Sequence, residues 1–168
     1  MTTSTPVFPN LQPAIFMRVN LGEASFPRRN PLFPNHNSPT GFIKSVDGFK
    51  PEIDATVMFG GDWLSVNSKT QSTHMNLVGL AQNYDGIPFA FTFDGIANLN
   101  EDTKHSAYDS GHKAVPLGCS TTNHTFRSGH ESFKDMQHTS WIGNSRIVVA
   151  EDNSLAVECF VSRLVPTS

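Results

Sequence analysis

The chain has 168 residues, a formal net charge of −3 and a charged fraction of 16%, against about 25% in typical soluble domains. This length fits one domain with its own core, and the lack of a basic excess argues against a nucleic-acid-binding protein. The low charge also favours burial of part of the surface in a homo-oligomer, a dimer or higher.

The sequence gives no sign of export or of a membrane partner. It contains no run of about 18 apolar residues that would span a bilayer, and its first residues lack the charged and apolar regions of a secretory signal. Cys119 and Cys159 show no paired spacing and are expected to be small reduced residues of the core. These features predict a cytoplasmic protein.

The first third of the chain alternates between extended runs and proline-rich connections. Residues 1–14 are expected to form a flexible arm, and residues 15–168 a single domain that begins with a strand at 15–21. Residues 26–40 are rich in proline and asparagine without periodicity, which is typical of a long loop or an ordered lid. Extended structure resumes at 41–46 and 53–59.

Residues 59–95 are the most informative stretch. Gly60-Gly61-Asp62-Trp63 is interpreted as a glycine corner, which is followed by a long strand at 73–83. The Asp85-Gly86 pair then precedes a strand at 89–93. An Asp-Gly pair between β-prone runs predicts a hairpin with a type I′ turn.

The second half of the chain predicts a polar loop or short helix at 97–113, a broken strand at 115–126 and a helical turn at 133–136. Segments 141–150 and 155–165 then form a closing hairpin. No apolar stripe of period 3.6 is sustained anywhere. About eight short strands separated by turn residues predict an all-β domain. A closed or nearly closed antiparallel barrel is favoured over a sandwich, because closure removes the exposed edges of long strands.

Several motifs resemble an uncharacterised family of small microbial proteins, namely Gly60-Gly61-Asp62-Trp63, Asp85-Gly86 and Trp141-Ile142-Gly143. That family is similar to the allene oxide cyclase and dirigent group of calycin-like barrels, and some members occur in natural-product gene clusters. The resemblance implies a ligand-sized cavity, chemistry without a cofactor and frequent oligomers. Asn76 stands where the family commonly has an aspartate, and an amide cannot act as a carboxylate base.

Three residues are candidate catalytic groups: His74, Asp62 and Asn76. His74 and Asn76 lie two residues apart on a strand and therefore share a face, and an imidazole near pH 7 can take or give a proton. Asp62 would orient that imidazole. The alternatives are an exposed His74 and an Asp62 that only accepts backbone N–H bonds at the glycine corner. The mechanism requires the face of His74 to point inward.

Five side chains are candidate contacts for a substrate inside the barrel: Trp63, Val78, Leu80, Phe91 and His124. Phe91 shares one face of its strand with two further phenylalanines, a pattern of a core or of a lining for an aromatic ligand. Trp63 could instead plug one end of the barrel.

These observations predict a cofactor-free cyclase or isomerase of a secondary-metabolite pathway, acting on a small hydrophobic or aromatic substrate. A lipocalin-like or dirigent-like binding barrel is the alternative. No metal site is predicted, although histidines scattered over the second half leave a metal enzyme as a weaker third hypothesis. The motifs of nucleophilic hydrolases and of phosphate-binding loops are absent from the sequence.

Overall fold

The computed structural model describes residues 8–22, 24–25, 35–37, 40–67, 69–98, 118, 120–149 and 154–166. These residues form a 3₁₀ turn at Glu131–Phe133, a short helix α1 (Lys134–Gln137) and ten strands. The strands are β1 (Asn10–Leu21), β2 (Ala24–Ser25), β3 (Asn35–Asn37), β4 (Thr40–Ser45), β5 (Asp54–Asn67), β6 (Ser72–Asn83), β7 (Pro88–Asn98), β8 (Ser120–Arg127), β9 (Trp141–Val149) and β10 (Leu155–Val165). The predicted all-β class is confirmed.

Eight strands form a closed antiparallel barrel in the order β5–β4–β1–β10–β9–β8–β7–β6. Pairing of β5 with β6 closes it, from Ala55–Asn83 at one end to Asn67–Ser72 at the other. Closure pairs the edges that these long strands would otherwise expose. The short strand β3 pairs with residues 61–63 of β5, and β2 pairs with β3.

One end of the barrel is filled with aromatic side chains. Phe89 packs against Phe133 with ring centroids 5.3 Å apart, and Phe126 packs edge-on against Trp141 at 5.4 Å. The Trp141 indole N–H donates to the Met136 carbonyl at 3.0 Å and so fixes α1 across this end. Burial of each phenylalanine ring contributes about 1.5–3 kcal/mol. The aromatic cluster therefore closes this end and leaves polar side chains to the other half of the interior.

The Gly60-Gly61 pair lies within a strand. Both glycines belong to β5, and the register of β5 against β6 shifts between Val57 and Phe59. Glycine within a strand often accompanies such a bulge or a close approach, and here the Trp63 ring lies over Gly61. The predicted corner is therefore wrong. The strand predicted at 89–93 is also longer than expected, since β7 continues through Asp94 to Asn98.

The predicted hairpin between β6 and β7 is present. Its turn differs from type I′, because Gly86 has a positive φ of 84° while Asp85 does not. Strand pairing also begins earlier than expected, since Asn10 at the start of β1 faces Val165. Residues 10–14 thus belong to the barrel, and residues 1–7 of the predicted arm lie outside the described residues.

Some predictions fall on parts of the chain that the structure does not describe. These are most of the loop at 26–40, the polar segment at 99–113 and Cys119. Cys159 is buried in the core as expected. Within the described residues, no helix has the length and apolar character needed to cross a membrane.

Candidate functional site

Asp62 and His124 lie on the inner wall in one row of directly paired residues. Asp62 on β5 faces Leu77 on β6, which faces Phe93 on β7, which in turn faces His124 on β8. All four side chains are buried. Since facing residues of antiparallel strands point to the same side, the row carries a carboxyl group, an apolar centre and an imidazole. Its ends are three strand spacings apart, about 14 Å along the sheet.

The Asp62 carboxyl is buried with part of its hydrogen-bonding capacity unused. The Asn76 backbone N–H donates to it, whereas Oδ1 has no hydrogen-bond partner in the described structure. Burial raises the pKa of Asp62 to about 6, and the bond from Asn76 offsets only part of this rise. The cause is the loss of the water that stabilises a carboxylate. A carboxyl group with such a pKa can take and return a proton near neutral pH.

The His124 imidazole is a neutral hydrogen-bonding group. Its Nε2 lies 2.8 Å from the Thr122 hydroxyl, while Nδ1 is buried with no partner among the described residues. The ring packs against Phe93 and Phe126, with centroids at 5.5 and 6.4 Å. Burial lowers the pKa of His124 to about 3, so the ring stays uncharged near neutral pH. Nδ1 offers a donor or an acceptor, depending on the tautomer that the Thr122 bond selects.

Gly143 on β9 makes room for this imidazole. It faces Thr122 directly across the β8–β9 pair. A Cβ atom at Gly143 would overlap His124 Nε2 and lie 2.6 Å from Thr122 Oγ1. Only glycine therefore allows His124 and Thr122 to hold their present positions.

Hydroxyl groups line a further row of the inner wall, which is separated from the row of Asp62 and His124 by Met75, Gly95 and Thr122. This row runs from Thr73 on β6 through Ala97 to Ser120 on β8 and Ser145 on β9. The Ser120 and Ser145 hydroxyls bond to each other, whereas Thr73 Oγ1 is buried with no partner in the described part of the chain. This part of the inner wall is thus polar but uncharged.

The described interior holds three buried side-chain atoms without a partner: Asp62 Oδ1, Thr73 Oγ1 and His124 Nδ1. Buried polar atoms are almost always hydrogen-bonded, and each exception needs an explanation such as a bound molecule. They belong to inward-facing side chains of β5, β6 and β8, and β7 lies between the last two strands. Thr73 is four residues along β6 from Leu77, which faces Asp62, and this separates it by about 13 Å from the row of Asp62 and His124. The three atoms are the hydrogen-bonding positions that the described interior leaves open.

Five of the predicted site residues lie on the outer face of the barrel and are exposed: Trp63, His74, Asn76, Val78 and Leu80. The inward orientation that the His74 mechanism requires is therefore not found, and the alternative of an exposed His74 holds. The physical reason is the packing of Gly79 against Phe91, which faces it. A side chain at Gly79 would overlap the Phe91 ring, so the large ring and the small residue share the inner face. The even-numbered residues of β6 then point outward.

One of the outward-facing residues still contacts the interior through its backbone. The Asn76 backbone N–H donates to the Asp62 carboxyl, while the Asn76 side chain lies outside. The side chains of His74 and Asn76 line a groove of about 350 Å³ on the outer surface, together with Asp94 and Asn123. The predicted mechanism with His74 as a proton shuttle inside the barrel does not fit this geometry.

Asp62, Phe91 and His124 are the predicted site residues that the structure brings to the interior. Sequence reasoning missed the roles of Thr73, Thr122 and Gly143. A usable signal for Thr73 was its position on the same face of β6 as the small residues Gly79 and Ala81, which face phenylalanines of β7.

The histidines of the second half do not converge in the described structure. His130 and His138 are exposed, and His105 and His112 lie outside the described residues. Among the residues that are described, no group of three or more His, Cys, Asp or Glu side chains is placed to hold a metal ion.

Residues 9–164 match the model of a family described as protein of unknown function, DUF3237. The chain belongs to the DUF3237 family. The predicted resemblance to a family without an assigned activity is confirmed in this form, while its likeness to allene oxide cyclase and dirigent proteins stays a prediction. No curated protein matches this DUF3237 chain by sequence.

Solved structures resemble this DUF3237 protein over nearly its whole length. A conserved protein of unknown function from Rhodopseudomonas palustris has a TM-score of 0.76 at 16% identity, covering 96% of this chain and 100% of its own. A beta-barrel like protein from Acinetobacter baumannii has a TM-score of 0.68 at 15% identity, with 96% and 99% covered. An enzyme from Penicillium herquei has a TM-score of 0.60 at 16% identity, with 96% and 98% covered. These likenesses confirm the barrel fold.

Proposed function

We propose that this DUF3237 protein is an enzyme that moves a proton on a small molecule held inside the barrel, with Asp62 as the general acid and base. The observation that carries the proposal is the buried Asp62 carboxyl, with its pKa near 6 and one oxygen without a partner. Such a group transfers protons efficiently because its pKa is close to the working pH. Its buried position also shields the reacting atoms from bulk water.

His124 and Thr73 supply the remaining contacts in this proposal. Both present an unpartnered polar atom in the same interior. The neutral His124 ring binds a hydroxyl or carbonyl of the ligand without adding a charge, and its Thr122 bond of 2.8 Å fixes its orientation. The inner wall then holds the ligand in a reactive conformation, which supplies proximity and orientation.

The reaction class that fits these groups is a cyclisation or isomerisation without a cofactor. Both reactions need a proton taken from one atom and returned to another, which a single carboxyl group can do. The solved structure from Penicillium herquei is described as that of an enzyme, which favours an active barrel here as well. A role in a secondary-metabolite pathway and a place in the cytoplasm are part of this proposal.

Proton exchange tests the proposal without knowledge of the product. A panel of ketones with acidic C–H groups is incubated with the protein in D₂O, and loss of the C–H signal is followed by NMR. We expect catalysed exchange that rises with pH through about 6 and levels off above it, as Asp62 becomes the free base. Asp62→Asn should lower the exchange rate at least about 100-fold, the lower range for general acid–base catalysis.

Asp94→Asn is the matched control, because it removes an exposed carboxylate from the outer face of β7. It should exchange at the wild-type rate. An Asp62→Asn protein as fast as the wild type would remove Asp62 from the mechanism. A panel that binds but shows no exchange would leave the lipocalin-like or dirigent-like binding barrel, which the uncharged His124 and the hydroxyl-lined wall also support.

A further inference from the structure

We infer that the interior site accepts uncharged ligands with polar groups on both sides of a flat apolar centre, and that it rejects carboxylates and phosphates. This inference rests on the proposed function, because it names the substrate class of the same site. The row from Asp62 to His124 supports the expected positions of the ligand's polar groups. The charge of the inner wall supports the rejection of carboxylates and phosphates.

Among the side chains that the structure describes, the interior has a buried acid but no buried base to balance it. The buried charged residues of the described structure are Asp62 and Glu158. Glu158 lies between Arg18 and Arg146, at 3.4 and 2.7 Å, and these arginines neutralise it. No Lys or Arg is buried among the described residues. An anionic ligand would therefore enter beside an unbalanced carboxyl group, and like charges in a buried site repel strongly.

The row on the inner wall sets where the polar groups of the ligand must lie. Asp62 Oδ1 is free to accept a hydrogen bond at one end, and His124 Nδ1 is free to bind a polar group at the other. Leu77 and Phe93 lie between them, and both side chains are apolar and fully buried. A ligand with hydroxyl groups at both ends would satisfy both atoms, and a flat apolar centre would pack against Leu77 and Phe93 once these side chains shift to admit it.

Matched probes of one size separate these requirements. The probes are naphthalene-2,6-diol with two hydroxyls, 2-naphthol with one, and 2-naphthoic acid, which is an anion at pH 7.5. Dissociation constants are measured by ligand-observed NMR with the wild-type protein. We expect the diol to bind at least about threefold more tightly than naphthol, and naphthol at least about tenfold more tightly than naphthoate, the factor for 1.4 kcal/mol.

Two variants assign these preferences to the two ends of the row. Asp62→Asn should remove most of the discrimination against naphthoate, because it replaces the carboxyl group with a neutral amide of the same shape. Asp94→Asn, on the outer face, should leave the discrimination unchanged. His124→Phe should abolish the advantage of the second hydroxyl and still reject naphthoate. Circular dichroism shows whether each variant is folded, and Asp62→Ser replaces Asp62→Asn if the latter is not.

The outcomes distinguish the ligand class from the proposed function. Naphthoate binding as tightly as naphthol, or no effect of Asp62→Asn on their ratio, would overturn the inference while the exchange assay could still support proton transfer. The same holds if none of the probes binds although the ketone panel shows exchange. The expected order of affinities without any exchange would keep the ligand class and reject the enzyme.

Discussion

Burial of the Asp62 carboxyl couples the stability of the barrel to pH. Its pKa is raised from 3.8 in the free group to about 6 in the folded chain. The folded state therefore holds this proton more tightly than the unfolded state does. The resulting stabilisation is fully present below pH 3.8 and is lost as the pH rises through 6. The loss is on the order of 2–3 kcal/mol, at 1.36 kcal/mol for each pKa unit.

The first prediction compares the wild type with Asp62→Asn by urea unfolding between pH 4 and pH 7.5. The free energy of unfolding of the wild type, relative to that of the variant, should fall by this amount as the pH rises. The comparison with the variant is needed because His124 has the opposite effect on stability. Its lowered pKa gives stability above pH 6.5 that is lost as the pH falls toward 3. A constant difference across this range would show that Asp62 is not desolvated.

Gly143 shows how a single backbone position on β9 shapes the site on β8. We predict that Gly143→Ala destabilises the protein by about 1–3 kcal/mol, the usual cost of an extra group in a packed interior. The added methyl group would push His124 away from Thr122, so diol binding should weaken as well. Thermal unfolding and probe titration measure both effects.

Gly129→Ala is the control for this substitution. Gly129 is exposed, and a Cβ atom there meets nothing within 4 Å. It should change neither the unfolding temperature nor the affinity for the diol. If Gly143→Ala behaved like Gly129→Ala, the inner wall would be looser than the contacts of His124 indicate.

The orientation of β6 shows what the sequence could and could not predict about the site. Both of its faces mix polar and apolar residues, so alternation alone does not tell which face is inside. The Asp85-Gly86 turn does set the register, in which Gly79 faces Phe91. If the phenylalanine face of β7 lies in the core, this register places Gly79 inside and His74 outside. The orientation of β6 could therefore be derived from the two paired strands together, although not from either strand alone.

The interior position of Asp62 was harder to derive. The bulge between Val57 and Phe59 adds a residue to β5, and each added residue reverses which side chains point inward. A bulge leaves no turn residue as a marker, and Gly60-Gly61 therefore gave the appearance of a corner. The partner of Asp62, the Asn76 backbone N–H, is also set by this shifted register.

At the scale of the whole molecule, the barrel itself follows from local signals. Long strands separated by turn residues need their edges paired, and the pairing of β5 with β6 provides this. The site depends on a further condition, namely which polar side chains remain inside once the phenylalanines have filled one end. Which side chains fit inside depends on the volumes of residues on several strands at once, as with Gly143 beside His124. The alternation of residues along a single strand does not contain this information.

The outer surface of β5 and β6 offers a contact surface for the homo-oligomer that the low charge predicts. Four side chains form an apolar strip there: Phe59 (64% exposed), Trp63 (53%), Val78 (42%) and Leu80 (43%). Phe59 faces Leu80, and Gly61 under the Trp63 ring faces Val78, so the strip is continuous. It carries no charge, and a second copy of the chain would bring an equally uncharged surface and leave no buried charge unpaired.

We predict that two copies associate through this strip, because apolar aromatic surface of this kind is typical of the centre of protein interfaces. Light scattering after size-exclusion chromatography should give at least twice the monomer mass for the wild type. Phe59→Ser combined with Val78→Thr should shift it toward the monomer. Tyr84→Ser, at a residue 76% exposed in the β6–β7 turn, should leave the mass unchanged. A monomeric wild type, or an oligomer that survives the double substitution, would place the contact elsewhere or remove it.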